Sequence, residues 1–232
     1  MAKKGHAKGR SRRREQEGRP ERWKSYKQYF LIVCEDEVTE PTYFKQFRDL
    51  FPENTLFLRT VGTGNDPLGV IQTALKNREE LSAESGREID FTWVVFDKDD
   101  ADENITKLQK FEEAFRIAKS EKLHIAFSNE VFEVWLLLHF SLPSFENPIP
   151  RATIYAMLEN EGKIYVPDFV YNHGKKEIIN LVRIFGNEDL AISNAKILRE
   201  FHKDISPIMS NPSTDVYLLV QELRSWIKFY AG

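Results

Sequence analysis

The chain has 232 residues, of which 41% are hydrophobic and 12% aromatic, enough to form a core, so the composition excludes a wholly disordered protein. Its formal net charge is −3, but residues 1–24 carry +7, from ten Lys and Arg against three Glu, and the remaining residues therefore carry −10. The single cysteine excludes a disulfide framework, and no apolar run reaches the length of about 18 residues that predicts a transmembrane helix.

Residues 1–24 form a basic segment with almost no apolar side chains, which predicts an arm that is disordered in the free protein. The segment is either a solubilising tail or an arm that binds the phosphates of nucleic acid, in which case Arg12, Arg13 and Arg14 are candidate contacts. It lacks the apolar stretch of a secretory signal peptide, and the single cysteine suits a reducing compartment, so we expect a cytoplasmic protein.

Residues 26–140 alternate between apolar runs of strand length and segments whose apolar side chains recur at helical spacing. The predicted strands cover residues 29–34, 55–61, 89–96 and 123–127. The predicted helices run from Thr39 to Phe51, from Pro67 to Leu81, from Leu108 to Ala118 and from Val131 to Phe140. Strict alternation of this kind predicts an α/β domain over residues 26–140, with a mainly parallel sheet flanked by helices.

The rest of the chain, residues 141–232, has the pattern of helices without strands. Helical spacing predicts helices over residues 151–160, 175–186, 188–204 and 213–230. The last of these is the clearest, because its apolar residues follow the i, i+3, i+4, i+7 pattern from Val216 to Tyr230. We therefore predict a C-terminal helical extension that packs on the α/β domain.

Acidic residues follow two of the most apolar strands directly. Glu35 comes after Cys34, and Asp97 and Asp99 come after Phe96. Because the carboxyl ends of parallel strands meet at one edge of a sheet, we expect these three carboxylates to lie near one another, with the two Asp side chains pointing the same way if the chain stays extended. Crowded carboxylates repel, and Mg²⁺ or Mn²⁺ would relieve that repulsion. The alternative is a set of solvated loop acids.

A further acid, Glu133, lies within the apolar segment 131–140. Burial of a lone carboxylate is costly, so Glu133 is expected either to reach a metal or a cationic partner or to serve as a helix cap. Asn129 precedes it by four residues, so both side chains are expected to face the acidic edge from the start of a helix. His139, on the same apolar segment, is predicted to be a core histidine instead of a ligand.

Several blocks of this sequence resemble those of the RloB-like family. The opening block LIVCEDEVTEPTYF (residues 31–44) and the block SNEVFEVWLLLHF (residues 128–140) are the specific ones, and shorter matches begin at Phe96 and Asn211. The resemblance covers roughly residues 28–230, and it departs at Asp36, where the family usually has Gly, and at Glu130, where Pro is frequent. A Glu after the first strand followed by Asp-x-Asp after a later one also resembles the Toprim fold of topoisomerases, primases and certain nucleases.

The resemblance implies a Toprim-type nuclease that hydrolyses phosphodiester bonds of RNA, with tRNA as one candidate, or of DNA. In such an enzyme Asp97 and Asp99 would bind Mg²⁺ or Mn²⁺, Glu35 would be a further ligand or a proton-transfer group, and Glu133 would complete the site directly or through water. Lys98 and Lys175 are candidate phosphate contacts.

The family also implies a role in prokaryotic phage defence or abortive infection, with an AAA- or ABC-type ATPase encoded nearby as partner. A homo-oligomer is compatible with these features. The alternative is a catalytically silent Toprim scaffold that binds nucleic acid or a protein partner.

Overall fold

A computed structural model describes residues 26–232, so the predictions for the basic arm, including Arg12, Arg13 and Arg14, lie outside the described residues. The described chain has a mixed α/β fold built on one five-stranded sheet. The strands are β1 (Gln28–Cys34), β2 (Leu56–Gly62), β3 (Phe91–Asp97), β4 (His124–Asn129) and β5 (Ser213–Thr214). Their spatial order is β2-β1-β3-β4-β5, and all neighbours are parallel except β4 and β5, which are antiparallel.

Eight α-helices flank the sheet within residues 26–232. They are α1 (Thr39–Lys45), α2 (Pro67–Ser85), α3 (Ile105–Ser120), α4 (Glu133–Leu138), α5 (Arg151–Tyr165), α6 (Glu177–Phe185), α7 (Glu188–Phe201) and α8 (Val216–Ala231). Local chemistry explains where α2 and α3 begin: the side chains of Asp66 and Asn104 accept hydrogen bonds from the free backbone N–H groups at the starts of these helices. Every helix in the described part of the chain is too short or too polar to cross a bilayer.

The sheet divides the interior into two hydrophobic cores. Alternate residues of β1 enter opposite cores: Phe30 and Ile32 pack with α4 and the C-terminal helices, whereas Leu31 and Val33 pack with α2 and α3. A strand buried on both faces has no polar side, which explains the unbroken apolar run in the sequence. Helices beyond residue 140 therefore pack in the same core as Phe30 and Ile32.

The predicted α/β architecture, with a mainly parallel sheet and flanking helices, is confirmed. The predicted helix over residues 213–230 is wrong at its start, because Ser213 and Thr214 pair with β4 as a fifth strand and α8 begins at Val216. A two-residue strand has no periodicity, so sequence patterns cannot reveal it. The helix predicted from Thr39 to Phe51 ends at Lys45 and continues as a 3₁₀ turn over Gln46–Leu50.

Candidate functional site

The carboxyl ends of β1 and β3 bring Glu35 and Asp97 together. The two strands are neighbours in the sheet, and the backbone N–H of Asp97 donates to Glu35 Oε2 at 2.8 Å. The backbone N–H of Glu35 in turn donates to the carbonyl of Val95 at 2.9 Å. Parallel strand pairing thus fixes the backbone at this edge and places one carboxylate against the strand that carries the other.

Asp99 approaches the same edge by a different route from the one expected. Its φ of +46° lies in the left-handed region, which Asp tolerates better than most residues, and its N–H donates to the carbonyl of Glu130 at 3.1 Å. Its carboxylate is 3.1 Å from Arg151 Nη1. The condition under which Asp97 and Asp99 were expected to point the same way is therefore not met, since the chain does not stay extended at Asp99.

A cavity of about 400 Å³ opens at this edge of the sheet. Six acidic side chains line it: Glu35, Asp36, Glu40, Asp66, Asp97 and Asp99. Arg151, Tyr155 and His173 line the same cavity from the C-terminal part of the chain. A second cavity of about 360 Å³ shares four of the acids and is bordered by Lys98, Lys107 and Lys110. The site is therefore strongly acidic in its centre, with cations around it.

The crowding perturbs the acids. The pKa of the Glu35 carboxyl is raised from 4.5 to about 8: burial is the largest cause, the hydrogen bond from Asp97 opposes it, and the nearby charges of Asp99, Asp66 and Asp36 add to it. Burial also raises the pKa of Asp97, with repulsion from Glu40 and Glu35 as the next causes. The pKa of Asp99 is raised by burial too, although Arg151 opposes the shift. The protein at neutral pH must therefore hold protons, or a cation, at this edge.

One oxygen of Asp97 is left without a partner. Asp97 Oδ2 accepts from the backbone N–H of Phe132 at 2.7 Å, whereas Oδ1 is inaccessible to solvent and has no hydrogen-bond donor. A buried acceptor without a donor costs about 1–3 kcal/mol, and more when it is charged. Carboxylate oxygens are the ligands that Mg²⁺ and Mn²⁺ prefer, so the carboxylates at this edge suit such an ion.

The carboxylates are not gathered into a finished metal site. Within residues 26–232, no three His, Cys, Asp or Glu side chains converge closely enough to hold a metal ion as they stand. Mg²⁺ in proteins commonly takes one or two carboxylates and fills its other positions with water and substrate oxygens. A metal here would therefore be held by few protein ligands unless the side chains move closer.

Glu40 is an acid of this site that sequence reasoning missed. It is 1% exposed in the first turn of α1, its Oε2 accepts from the N–H of Asp36 at 3.2 Å, and burial raises its pKa, followed by repulsion from Glu35. The sequence contained a signal, because Glu40 precedes the apolar Tyr43 and Phe44 by three and four residues and so shares their buried face.

Asp36, where glycine was expected from the family resemblance, is accommodated without strain. It is not among the described non-glycine residues with positive φ, so its backbone does not require glycine. Its carboxylate accepts a hydrogen bond from the N–H of Thr39 and so satisfies a free donor at the start of α1. The substitution adds a charge to the cavity and a cap to the helix.

Glu133 lies outside the residues that line the cavity. It is 2% exposed at the start of α4, its Oε1 accepts from the hydroxyl of Tyr171, and it lies 3.4 Å from His173 Nδ1. Asn129 does not face the acidic edge as expected, because its amide donates to the carbonyls of Pro207 and Ile208 at 2.9 and 3.1 Å. The helical spacing of Asn129 and Glu133 gave a wrong prediction for Asn129, because this residue belongs to β4 and not to a helix.

Of the two candidate phosphate contacts, Lys98 borders the second cavity, whereas Lys175 lines neither cavity. Lys98 Nζ pairs with Asp102 at 2.7 Å, and Lys175 is exposed in the loop between α5 and α6, two residues after His173. His139 is a core histidine, as predicted: it is 4% exposed, its Nε2 is 3.3 Å from the hydroxyl of Tyr43, and burial lowers its pKa to about 3.

Comparison with known proteins gives one match. A family model described as RloB-like protein matches residues 30–223 of the chain. The matched region includes every residue of the acidic edge described above. No curated protein and no solved structure matches the chain.

Proposed function

The chain belongs to the RloB-like protein family, and we propose that it is a Toprim-type nuclease that hydrolyses phosphodiester bonds with Mg²⁺ or Mn²⁺. One observation carries the proposal. Asp97 has a buried oxygen without a donor, and it lies beside Glu35 and Asp99 in a cavity where burial and repulsion raise the pKa of all three carboxyls. A divalent cation would satisfy the oxygen and remove the repulsion together.

Asp97 and Asp99 would hold the metal, with Glu35 as a further ligand or as a proton-transfer group. A bound divalent ion supplies positive charge to the phosphate and lowers the pKa of water. The backbone N–H of Phe132 fixes the orientation of Asp97, and Arg151 reaches both Asp99 and Glu130, at 3.1 and 3.2 Å. Because Arg151 is half exposed and lines the cavity, it can transfer from these acids to a substrate phosphate.

The cations of the second cavity suit a polyanionic substrate. Lys107 pairs with Asp100 and Glu103, and Lys110 pairs with Asp66 at 2.7 Å, so each has an acidic partner that a phosphate can replace. The substrate is therefore proposed to be RNA or DNA. The family resemblance extends the proposal to a cytoplasmic phage-defence effector that works with an ATPase partner.

A cleavage assay on the full chain tests the proposal. Labelled tRNA, single-stranded DNA and plasmid are incubated with Mg²⁺, Mn²⁺ or EDTA, using wild type and the double variant Asp97→Asn/Asp99→Asn. Cleavage is expected in wild type with metal and is expected to fall at least 100-fold in the double variant. Glu79→Gln/Glu80→Gln is the matched control, since it removes two exposed acids of α2. Full metal-dependent cleavage by the Asp97/Asp99 variant would contradict the assignment of these two residues as metal ligands.

A second candidate is a silent scaffold that binds nucleic acid or a protein without cleaving. The ion pair between Asp99 and Arg151 favours it, as does the lack of three converged metal-binding side chains within residues 26–232. In that case nucleic acid binds equally well with and without divalent metal, and no cleavage is seen with either ion.

A further inference from the structure

We propose that His173 gives the proton to the leaving oxygen during phosphodiester cleavage, and that Glu133, Tyr171 and Tyr155 hold its imidazole ring in place. The inference rests on the nuclease function proposed above and assigns residues that lie outside the acidic edge. His173 is a catalytic residue in this scheme, because it would touch the reacting atoms. The other three are positioning residues.

The hydrogen bonds of His173 orient its ring. Its Nδ1 lies 3.4 Å from Glu133 Oε1 and 3.4 Å from the hydroxyl of Tyr155. His173 also lines the cavity that contains Asp97 and Asp99. With Nδ1 directed at Glu133, Nε2 is the ring nitrogen left for a substrate. A carboxylate behind a histidine is the arrangement that fixes the orientation and charge of an acid–base imidazole.

The burial of Glu133 supports its role in holding the His173 ring. It is 2% exposed, surrounded by the apolar residues of α4, and the hydroxyl of Tyr171 donates to the same Oε1 that faces His173. Burying a carboxylate costs several kcal/mol unless it is paired and hydrogen-bonded. Both of its described partners come from the loop between α5 and α6, so Glu133 fixes that loop against the cavity.

Aromatic packing also holds the loop between α5 and α6 in place. Tyr155 of α5 lies between the other two rings, with its centroid 4.9 Å from that of Tyr171 and 5.6 Å from that of His173, at interplanar angles of 30° and 31°. The loop is also tied to α5 by the N–H of Tyr171, which donates to Glu159 Oε2 at 3.1 Å. The ring of Phe169 packs directly on Gly162, where a Cβ would clash with it. The imidazole is therefore held by both α4 and α5.

The charges around His173 favour its protonated form. The hydrogen bond with Glu133 raises the pKa of His173, burial opposes it, and the charges of Glu133, Asp36 and Asp99 add to the increase. These groups come from α4, from the loop after β1 and from the turn after β3. On α5, the neutral hydroxyl of Tyr155 faces the ring, and Arg151 is a cation that lines the same cavity and pairs with Asp99. A larger fraction of imidazolium at neutral pH is what a general acid requires.

The chemical step balances in atoms and protons. A water oxygen forms a bond to phosphorus while the bond from phosphorus to the leaving sugar oxygen breaks. The imidazolium of His173 gives its Nε2 proton to that oxygen, the water proton passes to solvent, and His173 regains a proton from solvent. The products are a phosphate monoester and an alcohol. General acid catalysis of this kind contributes about 10²–10⁴-fold.

A leaving-group test separates proton donation from a structural role. His173→Gln is compared with wild type on an oligonucleotide that the enzyme cleaves and on the same oligonucleotide with sulfur replacing the leaving oxygen, because a thiolate leaves without a proton. His124→Gln is the matched control, since His124 is exposed at the opposite end of the sheet. We expect His173→Gln to lose at least 100-fold on oxygen and less than 5-fold on sulfur.

The outcomes distinguish the two proposals. Equal losses on oxygen and sulfur, or no loss on oxygen, would overturn the role of His173 while leaving the nuclease intact. An inactive wild type would overturn the nuclease, and this inference with it.

A second measurement concerns the positioning residues and needs no activity. The pKa of His173 is measured by NMR in the full-length protein, with its signal assigned by comparison with His173→Gln. Glu133→Gln is expected to lower that pKa, whereas Tyr155→Phe, which keeps the carboxylate, is expected to change it little. An unchanged pKa in folded Glu133→Gln would overturn the role of Glu133. If that variant does not fold, the wild-type value decides: a His173 pKa at the ordinary value near 6.5 would overturn the pairing of Glu133 with His173.

Discussion

Replacing Glu35 by Gln is expected to stabilise the metal-free protein. Gln has nearly the same shape, and its side-chain oxygen can still accept from the N–H of Asp97. The folded-state pKa of Glu35, about 8, lies above its ordinary value of 4.5, so the folded protein holds a proton that the unfolded chain releases. Stability contributed by this group is therefore lost as pH rises from 4.5 to 8.

The magnitude follows from the shift. Each pKa unit is worth 1.36 kcal/mol, so an ionisable Glu35 lowers the free energy of unfolding by about 3 kcal/mol at pH 7, and by about 2 kcal/mol more at pH 8 than at pH 6. Glu35→Gln removes this contribution. Urea unfolding of both proteins in EDTA at pH 6, 7 and 8 measures it.

We expect the advantage of Glu35→Gln to grow by about 2 kcal/mol over that pH range, and millimolar Mn²⁺ to reduce it, because the metal relieves the repulsion that acts on an ionised Glu35 in wild type. Glu79→Gln, an exposed substitution on α2, should show no such pH dependence. A constant difference between wild type and Glu35→Gln at all three pH values would refute the reasoning, because Glu35 would then be ionised in both states.

Two other predictions follow from the site and from the charge distribution. Gly62→Ala places a Cβ 2.6 Å from Glu37 Cα and 2.7 Å from the carbonyl oxygen of Asp36. The substitution should therefore lower the free energy of unfolding in urea by about 1–3 kcal/mol, and it should weaken metal binding by displacing the loop after β1. Unchanged stability would contradict this packing. Deleting residues 1–24 should weaken nucleic-acid binding and reduce the log–log salt slope by roughly 0.9 per lost phosphate contact on duplex; an unchanged slope would make the segment a solubilising tail.

The parts of the fold that sequence predicts well are those with a local cause. The double-sided apolar run of β1 predicts a buried strand, and the parallel topology that follows explains why Glu35 and Asp97 meet. The start of α2 at Pro67 could be read from the capping residue before it. These features depend on a few neighbouring residues or on one rule of sheet geometry.

Other features depend on contacts that no local pattern contains. Tyr171 and His173 contact Glu133 from a loop about 40 positions later in the chain, and that loop has no periodicity to place it. At the left-handed turn, the N–H of Asp99 donates to the carbonyl of Glu130, again in a distant segment. Glu40 was visible in principle, but its burial depends on helix α1 packing with its acidic side toward the cavity.

The central claim is that the acidic edge formed by Glu35, Asp97 and Asp99 binds a divalent metal. Calorimetric titration of the full-length protein with Mn²⁺ at pH 7, repeated in buffers of different ionisation enthalpy, tests it most directly. Because the pKa of Glu35 is about 8 in the metal-free protein, binding should release about one proton from this carboxyl, and Asp97→Asn should weaken binding at least tenfold. Absence of binding at millimolar Mn²⁺, or binding that Asp97→Asn leaves unchanged, would contradict the account.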